Sequence, residues 1–380
     1  MPMNGKERMY AALEGKKIDS CPVGAPYLML SNADHWEELT GLPVYKYFEW
    51  AATPDLKWHG EIYKIFYETL QFDIVQPSHG VSNSYRNNVE VVLKNGVSFL
   101  HNKKDDTYDS LPGNIHNSGS GGGENETRYV YTKQDARDRI KPLKAENTVS
   151  AGYNAYLDEI LKLYGDTRFV VSGGVVNTFY SNVYHVGMTE FYAMLINEPE
   201  LIKYMSGYLL EQNIESIRAM AMSGGDAIFI DDATATSDMV SPKMYEEFSL
   251  PYLIPQVEEI QRHGMKAILV YFGGISDRAE MIASIGADIL MMECSMKGYT
   301  NDYSEISKKI GKNICLAGNL NPYGDVEITT DANLESRIKN MADAGKKHGR
   351  YFTSTGSPLT PNTTVERMRK YIDISHKITI

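Results

Sequence analysis

Ala227-Ile-Phe-Ile-Asp-Asp-Ala-Thr-Ala235 is the stretch from which the fold can be read. Its first four residues are apolar and read as a buried strand. Two adjacent carboxylates, Asp231 and Asp232, end it, and small residues follow. A long helical segment over residues 241–263 comes next, with Ser241 as its cap ahead of Pro242. In barrels of alternating strands and helices, carboxylates at this end of a strand belong to the face that carries the chemistry. Such a pair can bind a metal, shift each other's proton affinity, or simply cap the next helix.

The same unit recurs outward from this stretch. Short strand-like segments at 21–28, 72–77, 169–174, 227–230, 266–274, 288–294, 313–319 and 350–356 alternate with helical patterns. Strands alternating with helices at this spacing imply a parallel sheet, and eight such units imply a closed barrel. The expected fold is therefore α/β, a single (β/α)8 TIM barrel over residues 1–380. The alternative is a doubly wound open sheet. No Gly-x-Gly-x-x-Gly turn follows the first strand, which counts against a dinucleotide-binding version of it.

Residues 82–145 interrupt the alternation and read as an insertion after the second strand. Within it, Val89 to Lys94, then Asn95-Gly96, then Val97 to His101 predict a β-hairpin. Residues 117–126 are polar and rich in glycine. The insertion reads either as partial cover for a site or as a decorative loop.

Composition narrows the function classes. Hydrophobic residues make up 42% and charged residues 23%, ordinary for a globular protein with a large core. The formal net charge of -11 argues against a nucleic-acid or anionic-membrane binder. Cys21, Cys294 and Cys315 stand far apart and form no disulfide framework, so a reducing cytoplasm fits. The first residues lack the apolar core of a signal peptide, and no run approaches the roughly 18 apolar residues of a membrane span. A cytoplasmic protein is expected. Tyrosine is frequent, 26 residues against 11 Phe, and suits either half-buried helix faces or a wet pocket.

In a barrel the strand ends would present Tyr27, His79, Gly173-Gly174 with Asn177 beyond, Asp231-Asp232, Tyr271 to Gly274, Glu293-Cys294, Asn319 and Thr353 to Ser357. None is Arg or Lys, although a polyanionic substrate would call for cations. Lys297, Arg86 and Arg128 are the nearest, all in loops. Plainer readings exist for each residue. His79 before Gly80 suits a turn, Glu293 could pair with a loop lysine, and Asn319 could bond turn backbone. The glycine pairs suit tight turns, and Cys294 suits a buried small residue.

Several segments together resemble the uroporphyrinogen decarboxylase superfamily. They are Asn4-Gly-Lys-Glu-Arg-Met, Asp231-Asp-Ala-Thr-Ala, Val240-Ser-Pro-Lys-Met-Tyr-Glu-Glu-Phe-Ser-Leu-Pro-Tyr252, Gly318-Asn-Leu-Asn-Pro322 and Gly356-Ser-Pro-Leu-Thr-Pro-Asn362. The resemblance spans nearly the whole chain in order and implies a (β/α)8 barrel. It also implies one of two activities: cofactor-free decarboxylation of a tetrapyrrole, or methyl transfer to or from a corrinoid protein. The decarboxylase motif Arg-Gln-Ala-Gly-Arg is replaced here by Tyr27-Leu-Met-Leu-Ser-Asn, its substrate-binding Asp by His79, and its Gly-His-Gly by Ser354-Thr355-Gly356. Tyr184 matches its active-site Tyr. The zinc motif of the coenzyme M methyltransferases, His-x-Cys-Gly with a later Cys, falls on Val270-Tyr271-Phe272-Gly273 and Ser357. Val and Phe cannot ligate zinc.

What remains resembles the substrate-side methyltransferases of corrinoid systems, including O-demethylases of methoxylated aromatic compounds. That resemblance implies a corrinoid carried by a partner corrinoid-binding protein, a small methyl donor and a zinc with non-thiolate ligands. The residues expected to serve catalysis are Asp231, Asp232, Glu293 and Tyr271. Those expected to bind substrate are Tyr27, His79, Asn177, Tyr184, Asn319 and Thr355. A metal would fall to Asp232, Glu293 and His79, with Asp231 beside them. No nucleic acid or membrane is expected as a partner, and a homodimer is allowed. A decarboxylase or lyase acting on a smaller acid, and a barrel that binds without catalysis, are the competing expectations.

Overall fold

The computed structural model describes residues 2–113, 115 and 128–378. Among them are ten strands: β1 (Ile74–Val75), β2 (Val89–Lys94), β3 (Val97–Asn102), β4 (Thr107–Ser110), β5 (Phe169–Val176), β6 (Ala227–Asp232), β7 (Lys266–Tyr271), β8 (Ile289–Met292), β9 (Cys315–Ala317) and β10 (Tyr351–Phe352). Seven form one curled parallel sheet in the order β1-β5-β6-β7-β8-β9-β10, with helices between them. The fold is a TIM-type α/β barrel.

The eighth position differs from expectation. Residues 21–28 form no ladder strand; they supply one bridge, Val23 to Thr353. Pro22 and Pro26 lack the N–H groups that a ladder needs. The chain then turns at Tyr27, left-handed at φ 54°, into the helix Leu28–Asp34. Even so, the short segment joins both neighbours. Thr353 N–H donates to Pro22 O (2.9 Å), Gly24 N–H to Thr353 O (2.9 Å), and Asp73 N–H to Val23 O (3.1 Å).

Three aspartates set the register at the opposite end of the sheet. Asp73, Asp226 and Asp288 each stand immediately before a strand, and each clasps one residue of the neighbouring segment. Their backbone N–H groups donate to the carbonyls of Val23, Val170 and Ala267. Their carboxylates accept the N–H of those same residues, at 2.8, 2.8 and 2.9 Å. Asp73 is fully buried and also holds Arg8 and His376, both at 2.8 Å. A strand cannot slip by one residue without breaking such a two-point clasp.

Alternation along the strands divides the side chains. Ala227, Ile268, Val270, Ile289, Met291, Cys315, Ala317 and Phe352 pack together in the lumen. Ile228, Ile230, Leu269, Tyr271, Leu290, Met292, Leu316 and Tyr351 pack outward against the helices.

The insertion holds an antiparallel sheet, β2-β3-β4. Its β2–β3 turn is the expected one, with Asn95 and Gly96 at φ 51° and 78° and Lys94 opposite Val97. The third strand, β4, was not foreseen; all four of its residues are exposed. The polar run 117–126 lies outside the described residues. The helix expected over 241–263 is two, Pro242–Phe248 and Leu250–Arg262, meeting at Ser249. Ser241 caps the first, as expected, accepting from Met244 N–H. Among the described residues no helix is long and apolar enough to cross a membrane.

Candidate active site

The pleat of β6 separates its two carboxylates. Asp232 points outward and is 1% exposed. There it accepts from Asn177 Nδ2 (2.8 Å), the Tyr245 hydroxyl (2.9 Å) and Ser249 Oγ (3.3 Å). Burial raises its pKa to about 6, and these three donors pull the other way. Ser249 sits at the helix break, so the interruption delivers its hydroxyl to the carboxylate. Tyr271 occupies the same outer layer, edge-on to Tyr245 at 6.1 Å, its hydroxyl on the Ala235 and Gly274 carbonyls. Asp232, Asn177 and Tyr271, expected at the site, thus form a buried polar cluster behind the sheet.

Asp231 faces the lumen and is largely buried, and its two flanking lumen-side neighbours are Phe229 and, on β7's continuation, Phe272. Tyr27 leans over both: its ring is edge-on to Phe229 at 5.5 Å and parallel to Phe272 at 6.2 Å. The left-handed backbone of Tyr27, which costs a non-glycine residue about 1 kcal/mol, delivers that ring. Its hydroxyl lies beside Asp231 and favours the charged carboxylate, but the contact is not aligned as a full hydrogen bond. The Tyr27 hydroxyl and Asp231 Oδ1 are both buried with no aligned protein partner. Burial raises the Asp231 pKa to about 7, Asp232 adds to the rise, and Tyr27 opposes it. Tyr180 and Tyr184 lie nearby with their rings tilted at 35° and 5.2 Å apart, and Tyr184, 45% exposed, feels the Asp231 charge.

Glu293, past the end of β8, is the second lumen-side carboxylate. It accepts from Gly273 N–H (2.9 Å), Ser357 Oγ (3.2 Å) and the Tyr299 hydroxyl. Asn319 donates to the Glu293 and Asn301 carbonyls, so it ties strand ends together. Thr355 is buried beside the bridge to Leu320, its hydroxyl without a partner. His79 stands elsewhere, exposed in a cleft lined also by Gln76, Ser78 and Phe229. Desolvation there lowers its pKa.

The metal set expected from Asp232, Glu293 and His79 does not fit. Asp232 is turned outward and fully engaged, Glu293 is occupied by three donors, and His79 lines a separate cleft. Among the described residues no three His, Cys, Asp or Glu side chains converge as metal ligands. Cations are also held elsewhere. Arg278 is buried on Asp277 and the Ala235 and Val240 carbonyls, Arg86 is bonded to the Val81 and Gly152 carbonyls, and Arg128 pairs with Glu190 and Glu198. Lys297 is exposed on the loop after β8.

The sequence reading named Tyr27, Asp231, Tyr184 and Glu293 for the site, placed Phe272 at a strand end without a role, and missed Phe229, Tyr180 and Tyr299. Counting by twos from Asp231, and from Val270 on β7, would have placed both phenylalanines in the lumen.

Comparison with known proteins matches this architecture. The family model described as uroporphyrinogen decarboxylase (URO-D) matches residues 123–378. Chloroplastic uroporphyrinogen decarboxylase 2 of Arabidopsis thaliana is 28% identical over 218 residues, 56% of this chain and 49% of that protein. The uroporphyrinogen decarboxylase of Tolumonas auensis is 24% identical over 260 residues, 67% of this chain and 65% of that one. With the first two relatives the matched region spans about half of their length, 49% and 48%. Among solved structures, a methyltransferase from Methanosarcina mazei superposes with a TM-score of 0.67 at 14% identity, covering 99% of both chains. That likeness is one of fold.

Proposed function

This chain belongs to the uroporphyrinogen decarboxylase family, and within it we propose a methyltransferase that moves a methyl group from a small methylated substrate to the Co(I) corrinoid of a partner protein. A methoxylated aromatic compound is the preferred donor. The observation that supports this reading is Asp231: a lumen-side carboxyl raised to about 7, under an aromatic cover of Tyr27, Phe229 and Phe272.

The bond to be broken joins the methyl carbon to oxygen, and its electron pair leaves with the oxygen. An alkoxide or phenolate is a poor leaving group unless it is protonated. Asp231 keeps a proton close to neutral pH and can donate it as the bond breaks. The aromatic groups orient an apolar ring and exclude water. Glu293 is a positioning residue, fastening the loops after β7 and β8 to Ser357. The corrinoid, when docked, supplies the nucleophile that takes the methyl group. This reading has no zinc step, because Asp232, Glu293 and His79 do not converge.

The names of the relatives favour a second reading, decarboxylation of a smaller acid by the same proton donor. One experiment separates the two. Purified protein is given 2-methoxyphenol and a reduced corrinoid protein, and methyl-cobalt formation is followed by absorbance. Methylation that Asp231→Asn abolishes supports the proposal. CO2 release from candidate acids by the protein alone, without methyl transfer, overturns it.

A further inference from the structure

The sheet is incomplete between β1 and β5. They pair over two residues only, Ile74 with Phe169 and Val75 with Val170. Beyond that β5 continues to Val176 beside β6, with a register break between Val171 and Gly174. The β1 chain leaves the sheet at Gln76. A cleft of about 180 Å³ opens in the gap, lined by Gln76, Ser78, His79, Gly174, Met220 and Phe229 among others.

Gln76 stands out in this cleft. Both its backbone groups are satisfied by one hydroxyl: Tyr67 donates to its carbonyl (2.5 Å) and accepts its N–H (3.0 Å). Its side-chain donor is left free. Gln76 is 5% exposed, and its Nε2 is buried without a hydrogen-bond partner. A buried donor left unpaired is costly, and a ligand acceptor would satisfy it. No Asp, Glu, Lys or Arg lines the cleft. An ionised ligand would therefore be desolvated without a counter-charge. The volume is close to that of an apolar cavity of about 150 Å³ that takes one benzene ring. Phe229 is the wall shared with the Asp231 side, its ring edge-on to Tyr27.

We infer that this cleft binds a single-ring, uncharged molecule whose hydrogen-bond acceptor meets Gln76. Its assignment as the ring of the methyl donor rests on the methyl-transfer reading; the binding itself does not.

Binding is measured by calorimetric titration of the whole protein with 2-methoxyphenol, toluene and benzoate. The expected order places 2-methoxyphenol first, toluene weaker and benzoate weakest. Gln76→Leu keeps the side-chain volume and removes the donor. It should weaken 2-methoxyphenol about tenfold and leave toluene unchanged. Ser216→Trp, at the half-exposed rim on a helix face, should block both without affecting the melting temperature. Tightest binding by benzoate, or unchanged 2-methoxyphenol affinity in both variants, overturns the inference. If binding depends on Gln76 but no methyl reaches the corrinoid, the cleft stands and the methyl-transfer reading falls. If methyl transfer proceeds with the same KM in Gln76→Leu and Ser216→Trp, the assignment of the cleft to the methyl donor falls and the methyl-transfer reading stands.

Discussion

Asp231 and Asp232 share a peptide bond and face opposite sides of one strand. The first meets Tyr27 in the lumen, and the second accepts three hydrogen bonds among the helices, from Asn177, Tyr245 and Ser249. Adjacent identical residues therefore have different jobs. One is available for chemistry, and the other holds the outer layer to the sheet.

Substitution should separate those jobs. Under the methyl-transfer proposal, Asp231→Asn removes the proton donor and should lower kcat/KM by roughly 100-fold or more. Its melting temperature should stay level or rise, because a buried group that resists ionising becomes neutral. Asp232→Ala strands three donors, all of them on fully buried residues. It should cost about 2–4 kcal/mol in urea titration. Equal loss of stability in both variants would contradict the division.

The pH dependence follows from the raised values, about 7 for Asp231 and about 6 for Asp232, against 3.8 for an ordinary Asp. Between these limits the folded chain binds more protons than the unfolded chain. The stability contributed by the protonated forms is complete below 3.8 and is lost as pH rises through the folded values. The loss is at most roughly 1.4 kcal/mol per pH unit per group. Denaturation at several pH values should show this decline, and it should be shallower in Asp231→Asn. Turnover should fall as pH rises past about 7, because the donor is then ionised.

Glu293→Gln tests a positioning role. An amide offers one acceptor oxygen in place of two, so the Gly273, Ser357 and Tyr299 donors cannot all be served. The expected result is a loss of about 1–2 kcal/mol with a raised KM and a kcat within a few-fold of the parent. A kcat that collapses while stability and KM hold would make Glu293 the proton donor instead.

Asp73→Ala should be the most damaging of these changes. It removes the clasp on Val23 and leaves Arg8 and His376 without their shared partner. A loss of about 3 kcal/mol or more is expected by urea unfolding. Asp73→Asn should recover part of it, because an amide oxygen can still accept the Val23 N–H.

Much of the barrel was legible in the sequence because its strands are short apolar runs with helical patterns between them. Residues 227–230 and 288–294 could hardly be anything else. The first segment was misread because its apolar residues suit a strand, while Pro22 and Pro26 deny it the donors of one. The candidate site was half legible. Strand-end position identified Asp231 and Glu293, but that rule says nothing about face. Asp232, Asn177 and Tyr271 were assigned by position and turned away by the pleat. His79 followed the second strand as expected, yet it lines a gap that arises where pairing stops after Val75, which no local pattern reveals.

The joint at Val23 also has a consequence in time. Cys21 Sγ and Thr353 Oγ1 meet at 3.3 Å across 332 residues of chain. A ribosome adding about 5–20 residues per second needs roughly 15–65 s between making the two halves of that joint. Throughout that interval the Val23 segment lacks its later neighbour, and β1 borders a sheet that cannot yet close. The nascent barrel therefore passes through a long open stage with unpaired backbone on display, the stage at which a chaperone or a neighbouring nascent chain would find it.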